Sequence, residues 1–250
     1  MSRAASLARA TATQTGVELR LTARRGENLL AMIGIPAAVL LFFGSTAVLP
    51  APASGDRVGA LLPGVLSLAI IATGLVNLGI ATAYERSYGV LKRLGGSPLG
   101  RSGLILAKVA AILVIEIGLV LVLVGIAAGI LGWRPSGPIA WLPLVASIAL
   151  GTATFAGLGL ALAGALRPEL TLVVANVLFL AVLAVGGVLV PVADLPEPLA
   201  TVARVLPPGA LTDALRAALE GSGDGVGSLA LLAAWAGAAV LLAIRTFRWD

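Results

Sequence analysis

The sequence predicts an all-α polytopic membrane protein with six membrane-crossing helices. Two observations carry that prediction. Of 250 residues, 59% are hydrophobic and 12% charged, against about 25% charged in an ordinary soluble domain. So few charges cannot clothe a water-facing surface of this size, which excludes both a soluble globule and a disordered chain. Six apolar runs also reach the roughly 18 residues that a spanning helix needs.

The elements follow in chain order. Residues 1–28 form a basic tail with Arg3, Arg9, Arg20, Arg24 and Arg25. Leu7, Thr11, Val17 and Leu21 roughly share a helical face, which predicts an interfacial helix on anionic lipid. The first apolar run covers 29–49 and contains Gly34 and Pro36. It begins too late and runs too long for a cleaved signal peptide. The remaining runs cover 58–83, 104–132, 139–166, 170–190 and 226–244. Several exceed the spanning minimum, so tilt or interfacial ends are expected. Gly125 and Gly129 have the spacing that lets helices approach closely, a pattern that chance also supplies in a chain rich in Ala and Gly. The whole chain reads as a single transmembrane domain.

Six crossings put both termini on one side, and the basic residues say which. Thirteen Lys and Arg fall on the side of the termini, and four (Arg57, Arg134, Arg204, Arg216) on the other. By the positive-inside rule the termini are cytoplasmic. The net charge of +5 therefore reads as topology rather than as affinity for nucleic acid. The chain has no Cys and no His. That excludes disulfides, thiolate nucleophiles, zinc-thiolate sites and every His-based triad.

Two polar stretches stand out. The cytoplasmic loop 84–103 opens with Tyr84, placed as an interfacial aromatic anchor. Glu85, Arg86, Gly89, Leu91, Lys92, Arg93 and Leu94 fall in a predicted short helix over 85–94. Gly95-Gly96 ends it, and Ser97-Pro98 turns the chain back to the membrane. A charged helix of this kind, with Leu91 and Leu94 as its apolar contact, suits docking of a soluble partner; a solvated loop that only sets topology fits as well. The external stretch 191–225 is too long for a simple connector. Its apolar residues recur at helical spacing around a break at Pro207-Pro208-Gly209. It reads as two short amphipathic helices lying in or dipping into the outer leaflet.

In order and topology these parts resemble the membrane subunit of ABC-2 type transporters, closest to the short drug- and antibiotic-export permeases of bacteria. The resemblance rests on the E-R-x-x-G-x-L-K-R-L segment at 85–94, then Ser97-Pro98, then Lys108 at the start of the third run. It continues in the L-P-x-x-L-x-x-x-x-x-x-L-P segment through Leu195, Pro196, Leu199, Leu206 and Pro207, followed by Ala214-Leu215-Arg216. The resemblance implies a coupling helix at 85–94 that docks on an ATPase subunit. It implies a re-entrant external hairpin beginning near Pro191, and a dimer with itself or a paralogous permease. It also implies a bacterial plasma (inner) membrane location and export of a small amphiphilic compound. ATP and Mg would sit on the partner: the only lysines, Lys92 and Lys108, follow no P-loop glycine pattern, so this chain cannot cradle ATP phosphates.

Three polar residues lie within the runs. Glu116 is near the centre of the third, where a charge costs roughly 2.5–3.5 kcal/mol. It must face a partner or a water-filled cavity, or carry a proton. It reads either as a contact on a substrate path or as a neutral acid bonded to a neighbouring helix. Asn77 and Asn176 read first as interhelical glue and second as path-lining groups. Competing functions are weaker. A lipid-processing enzyme would need clustered acids, and those here are scattered. A proton-coupled secondary transporter usually needs several intramembrane ionisable groups. An accessory membrane subunit without a path remains a third reading.

Overall fold

The structure, a computed structural model, describes residues 7–24, 26–46, 48, 55–96, 99–185, 197–222 and 225–247. Ser97, Pro98, Pro191, Leu195 and Pro196 lie outside the described residues, as does the side chain of Leu199.

Among the described residues every regular element is helical. The tail forms α1 (Leu7–Arg24) and the first run α2 (Gly26–Ser45). The second run forms α3 (Arg57–Ile71), a π-helical segment (Ala72–Leu78) and α4 (Gly79–Ser87) in one continuous rod. Asp56 starts it as N-cap, its carboxylate accepting the Gly59 N–H at 2.8 Å. A short α5 (Val90–Gly95) precedes α6 (Gly100–Gly129), and α7 (Trp141–Ala165) follows. Then come α8 (Pro168–Val185), α9 (Glu197–Val205), α10 (Pro207–Glu220) and α11 (Val226–Thr246).

Five of these rods are long and apolar enough to cross a membrane: α2, α3 through α4, α6, α7 and α11. The expected sixth crossing corresponds to α8, whose run continues into residues outside those described. The rod over 57–87 has 31 residues, about 46 Å at 1.5 Å per residue, against a hydrocarbon core of about 30 Å. It and the 30-residue α6 therefore reach past the core or tilt within it.

The core lies along α7. One apolar cluster joins α2, α3, α6, α7 and α10. A second, at the other end of the bundle, gathers Leu91, Leu99, Leu104, Leu160 and Phe247 with Ala10 against it. So α1, α5 and the end of α11 meet at one end. At the opposite end the Ala140 N–H donates to the Ala218 carbonyl at 2.9 Å, closing the loop before α7 onto the end of α10.

Glycines set the closest approaches, but not the pair the spacing suggested. A Cβ on Gly125 or Gly129 would meet open space. A Cβ on Gly159 would strike the carbonyl oxygens of Gly74 and Leu75, and one on Gly79 would strike the Gly159 backbone. The π segment and α7 thus touch backbone to backbone, which only residues without a side chain allow.

Candidate functional site

The loop after the second rod is built differently from the single helix expected over 85–94. α4 continues through Glu85, Arg86 and Ser87, then Gly89 takes φ +71° and breaks the run. Only Val90–Gly95 forms the knob. Glu85 and Arg86 therefore belong to the end of a membrane rod, and their side chains work inside the bundle. Arg86 donates to the carbonyls of Gly164 at 2.8 Å and Leu166 at 2.6 Å, and also to that of Ala163. Carbonyls at a helix C-terminus lack intrahelical donors and carry the negative end of its dipole, so the guanidinium closes α7.

Leu91 also departs from expectation. It is buried in this chain's own second cluster, so it is not available as an apolar contact for a partner. At the surface of the knob stand Lys92 and Arg93, with Val90 and a 74% exposed Tyr88 beside them. Leu94 is half-buried.

Beneath the knob lies a charged junction that the sequence did not single out. Lys108 of α6 is 1% exposed, and its Nζ lies 2.7 Å from Glu85 of α4 and 3.1 Å from Glu18 of α1. One ammonium thus joins three helices. Its burial is tolerable only because two carboxylates face it. α1 reaches this contact by laying its Thr15–Glu18–Thr22 side against α6, with the Thr15 hydroxyl near the Ala107 carbonyl at 3.4 Å. Leu7, Val17 and Leu21 stay exposed. A small cavity of about 80 Å³ adjoins the junction and is lined in part by Glu18, Asn28, Asn77, Glu85 and Lys108. Asn77 is therefore a cavity-wall residue of the π segment. Asn176 is exposed and bonds its own helix, donating to the Leu172 carbonyl at 2.8 Å, so it joins no helices among the described residues.

Glu116 is 0% exposed, on α6 against Thr152 of α7. The Thr152 hydroxyl faces both the Ile148 carbonyl, at 2.7 Å, and the Glu116 carboxyl. A hydroxyl has one proton and cannot serve two acceptors. No cation lies within ion-pair distance of Glu116 among the described residues, and its Oε1 has no hydrogen-bond partner there. The geometry fits a neutral acid whose own proton supplies the Thr152 contact.

α10, the element before α11, is packed into the bundle, whereas α9, among its described side chains, buries only Ala200 and Ala203 and leaves Val202 and Val205 exposed. Ten of the fourteen residues of α10 are buried, Leu206 precedes it as N-cap, and Pro207 occupies its first turn. Thr212 donates to Ser67 of α3 at 3.0 Å, and Arg216 to the Ala60 carbonyl at 3.3 Å. Burial pushes the Asp213 carboxyl up, against the pull of Arg216 and Arg204. Among the described residues no group of three His, Cys, Asp or Glu could hold a metal ion.

Residues 12–219, most of the chain and all of this junction, match the family described as ABC-2 type transporter. The chain belongs to the ABC-2 type transporter family. No curated protein matches it. As an ABC-2 membrane domain the chain is a multi-pass membrane transport component and not itself catalytic. Its family membership implies an ABC ATPase as partner in general.

Proposed function

We propose that this permease is the membrane subunit of an ATP-driven exporter of small amphiphilic compounds in the bacterial inner membrane, working as a dimer with separate ATPase subunits that hold ATP and Mg. The supporting observation is the basic knob at 90–95 and its bracing. Lys92 and Arg93 are exposed on a short helix whose root is tied to α1 and α6 through Lys108, and to the end of α7 through Arg86. The charged ties hold the end of α4, and Leu91, buried in the second cluster, seats the knob on the same end of the bundle, so a push on the knob moves that corner as a body. In this reading the ATPase cleft presents acidic groups to Lys92 and Arg93. Its closure moves the α4–α6 corner, and α9 and α10, read as a re-entrant hairpin, shape the outer exit.

The test uses the full chain reconstituted with the ABC ATPase subunit that co-purifies with it. The charge reversal Lys92→Glu with Arg93→Glu changes two exposed side chains and leaves Lys108 and Arg86 in place. Like charges facing each other in an interface cost several kcal/mol. Complex formation should fall by about tenfold or more, and transport with it, while membrane insertion is unchanged. Full transport and ATPase stimulation in the reversed variant would sink the docking assignment.

A further inference from the structure

Between α7, α8 and α11 lies an apolar groove of about 480 Å³, unrelated to the charged junction. Its walls include Phe155, Leu162, Leu178, Trp235 and Leu242, and its upper end is Leu206-Pro207-Pro208. The groove runs along α11 from Trp235 to Thr246, about 16 Å at 1.5 Å per residue. That is roughly half of a 30 Å hydrocarbon core, the depth of one leaflet. It ends at Ala165 and Thr246, at the end of the bundle that carries α5. There the charge changes. Arg167 and Arg245 are exposed and adjoin these two residues, and Arg86 closes α7 close by. Glu169 is the opposing charge in the first turn of α8, and neither exposed arginine forms an ion pair with it or with any other described residue.

We propose that this groove is a binding site for one anionic phospholipid of the leaflet on the α5 side. An acyl chain fills the groove, and Arg167 and Arg245 hold the phosphate. A slot one leaflet deep, with apolar walls and two exposed arginines beside its interfacial end, is complementary to that amphiphile; Arg204, beside the upper end, is drawn instead to Asp213. A second copy is the competing occupant, but the arginines beside the interfacial end favour a ligand that brings its anionic group there. The inference needs the chain to cross a membrane. It does not depend on how the knob couples to an ATPase.

Native mass spectrometry of the full chain, in micelles containing phosphatidylglycerol or phosphatidylcholine, tests it. One phosphatidylglycerol should be retained in clear preference to phosphatidylcholine. Arg167→Ala with Arg245→Ala should weaken it by roughly 25-fold, about a factor of 5 per arginine. Leu162→Trp, which fills the slot, should lower retention of both lipids. If that variant fails to fold, the two exposed arginines still decide the question. Equal retention of the two lipids, or unchanged preference in the arginine variant, would overturn the proposal. So would efficient cross-linking of two copies through Leu242→Cys in this cysteine-free chain, which would assign the groove to a second copy.

Discussion

Replacing Lys108 tests whether the buried junction holds the bundle together. Lys108→Met keeps the stem length and the apolar packing of the side chain and removes its charge. Glu18 and Glu85 then face one another across the vacated position, where the ammonium now lies 3.1 and 2.7 Å from them. Removing one partner of a buried ion pair costs about 3–5 kcal/mol. Both carboxylates keep some contact with solvent, at 13% and 21% exposure, which places the expected loss at the lower bound, about 3 kcal/mol. At about 2–4 °C per kcal/mol for a chain of this size, the thermal midpoint should fall by roughly 6–12 °C. The assay is the fluorescence size-exclusion profile of the solubilised full chain after heating. A rescue separates charge from packing. Lys108→Met combined with Glu18→Gln and Glu85→Gln leaves no buried charge, and should return to within about 1 kcal/mol of the parent. Two results would refute the reasoning: a single variant that melts like the parent, or a triple variant no more stable than the single one.

Three further predictions concern packing and charge. Gly159→Ala places a methyl group against the carbonyls of Gly74 and Leu75 and should cost about 1–3 kcal/mol, whereas Gly125→Ala faces open space and should gain up to about 1 kcal/mol from helix propensity; equal effects in the heating assay would dismiss the close approach. Glu116→Gln should stay within about 1 kcal/mol of the parent and retain transport, because the acid is read as neutral; a loss near 3 kcal/mol, the scale of a broken buried charge, would contradict that. Asp213→Asn should be more stable than the parent at neutral pH and lose its advantage in acid. Burial holds the Asp213 carboxyl above its ordinary value when folded, so the folded chain binds that proton more tightly and gains stability as pH falls through that value. A difference independent of pH would disprove the burial argument.

The helical rods were legible because apolar runs of spanning length have few alternatives in a bilayer, where every backbone polar group must be paired within the segment. The break at Gly89 was harder to foresee. The residues of 85–94 all tolerate a helix except that glycine, and a lone glycine costs only about 1 kcal/mol within one. Leu91 looked like a docking contact because a leucine on a charged loop is apolar wherever it points; the second cluster decided that it points inward. Gly125 and Gly129 had the right spacing and no neighbour, while Gly74, Gly79 and Gly159 met across two segments far apart in the chain. Spacing along one helix is silent about which face another helix will use.

The sequence by itself determined the class of protein, the family resemblance, the run of apolar rods and the concentration of basic residues on one side. Those follow from composition and local pattern, which are properties of segments. Only the tertiary structure decided that Lys108 is the tie between α1, α4 and α6, that Arg86 closes α7, and that Glu116 meets Thr152. Glu18 and Glu85 lie 90 and 23 residues from Lys108 along the chain. Pairing at such separations is set by how the helices pack, and nothing local to any of the three residues records it.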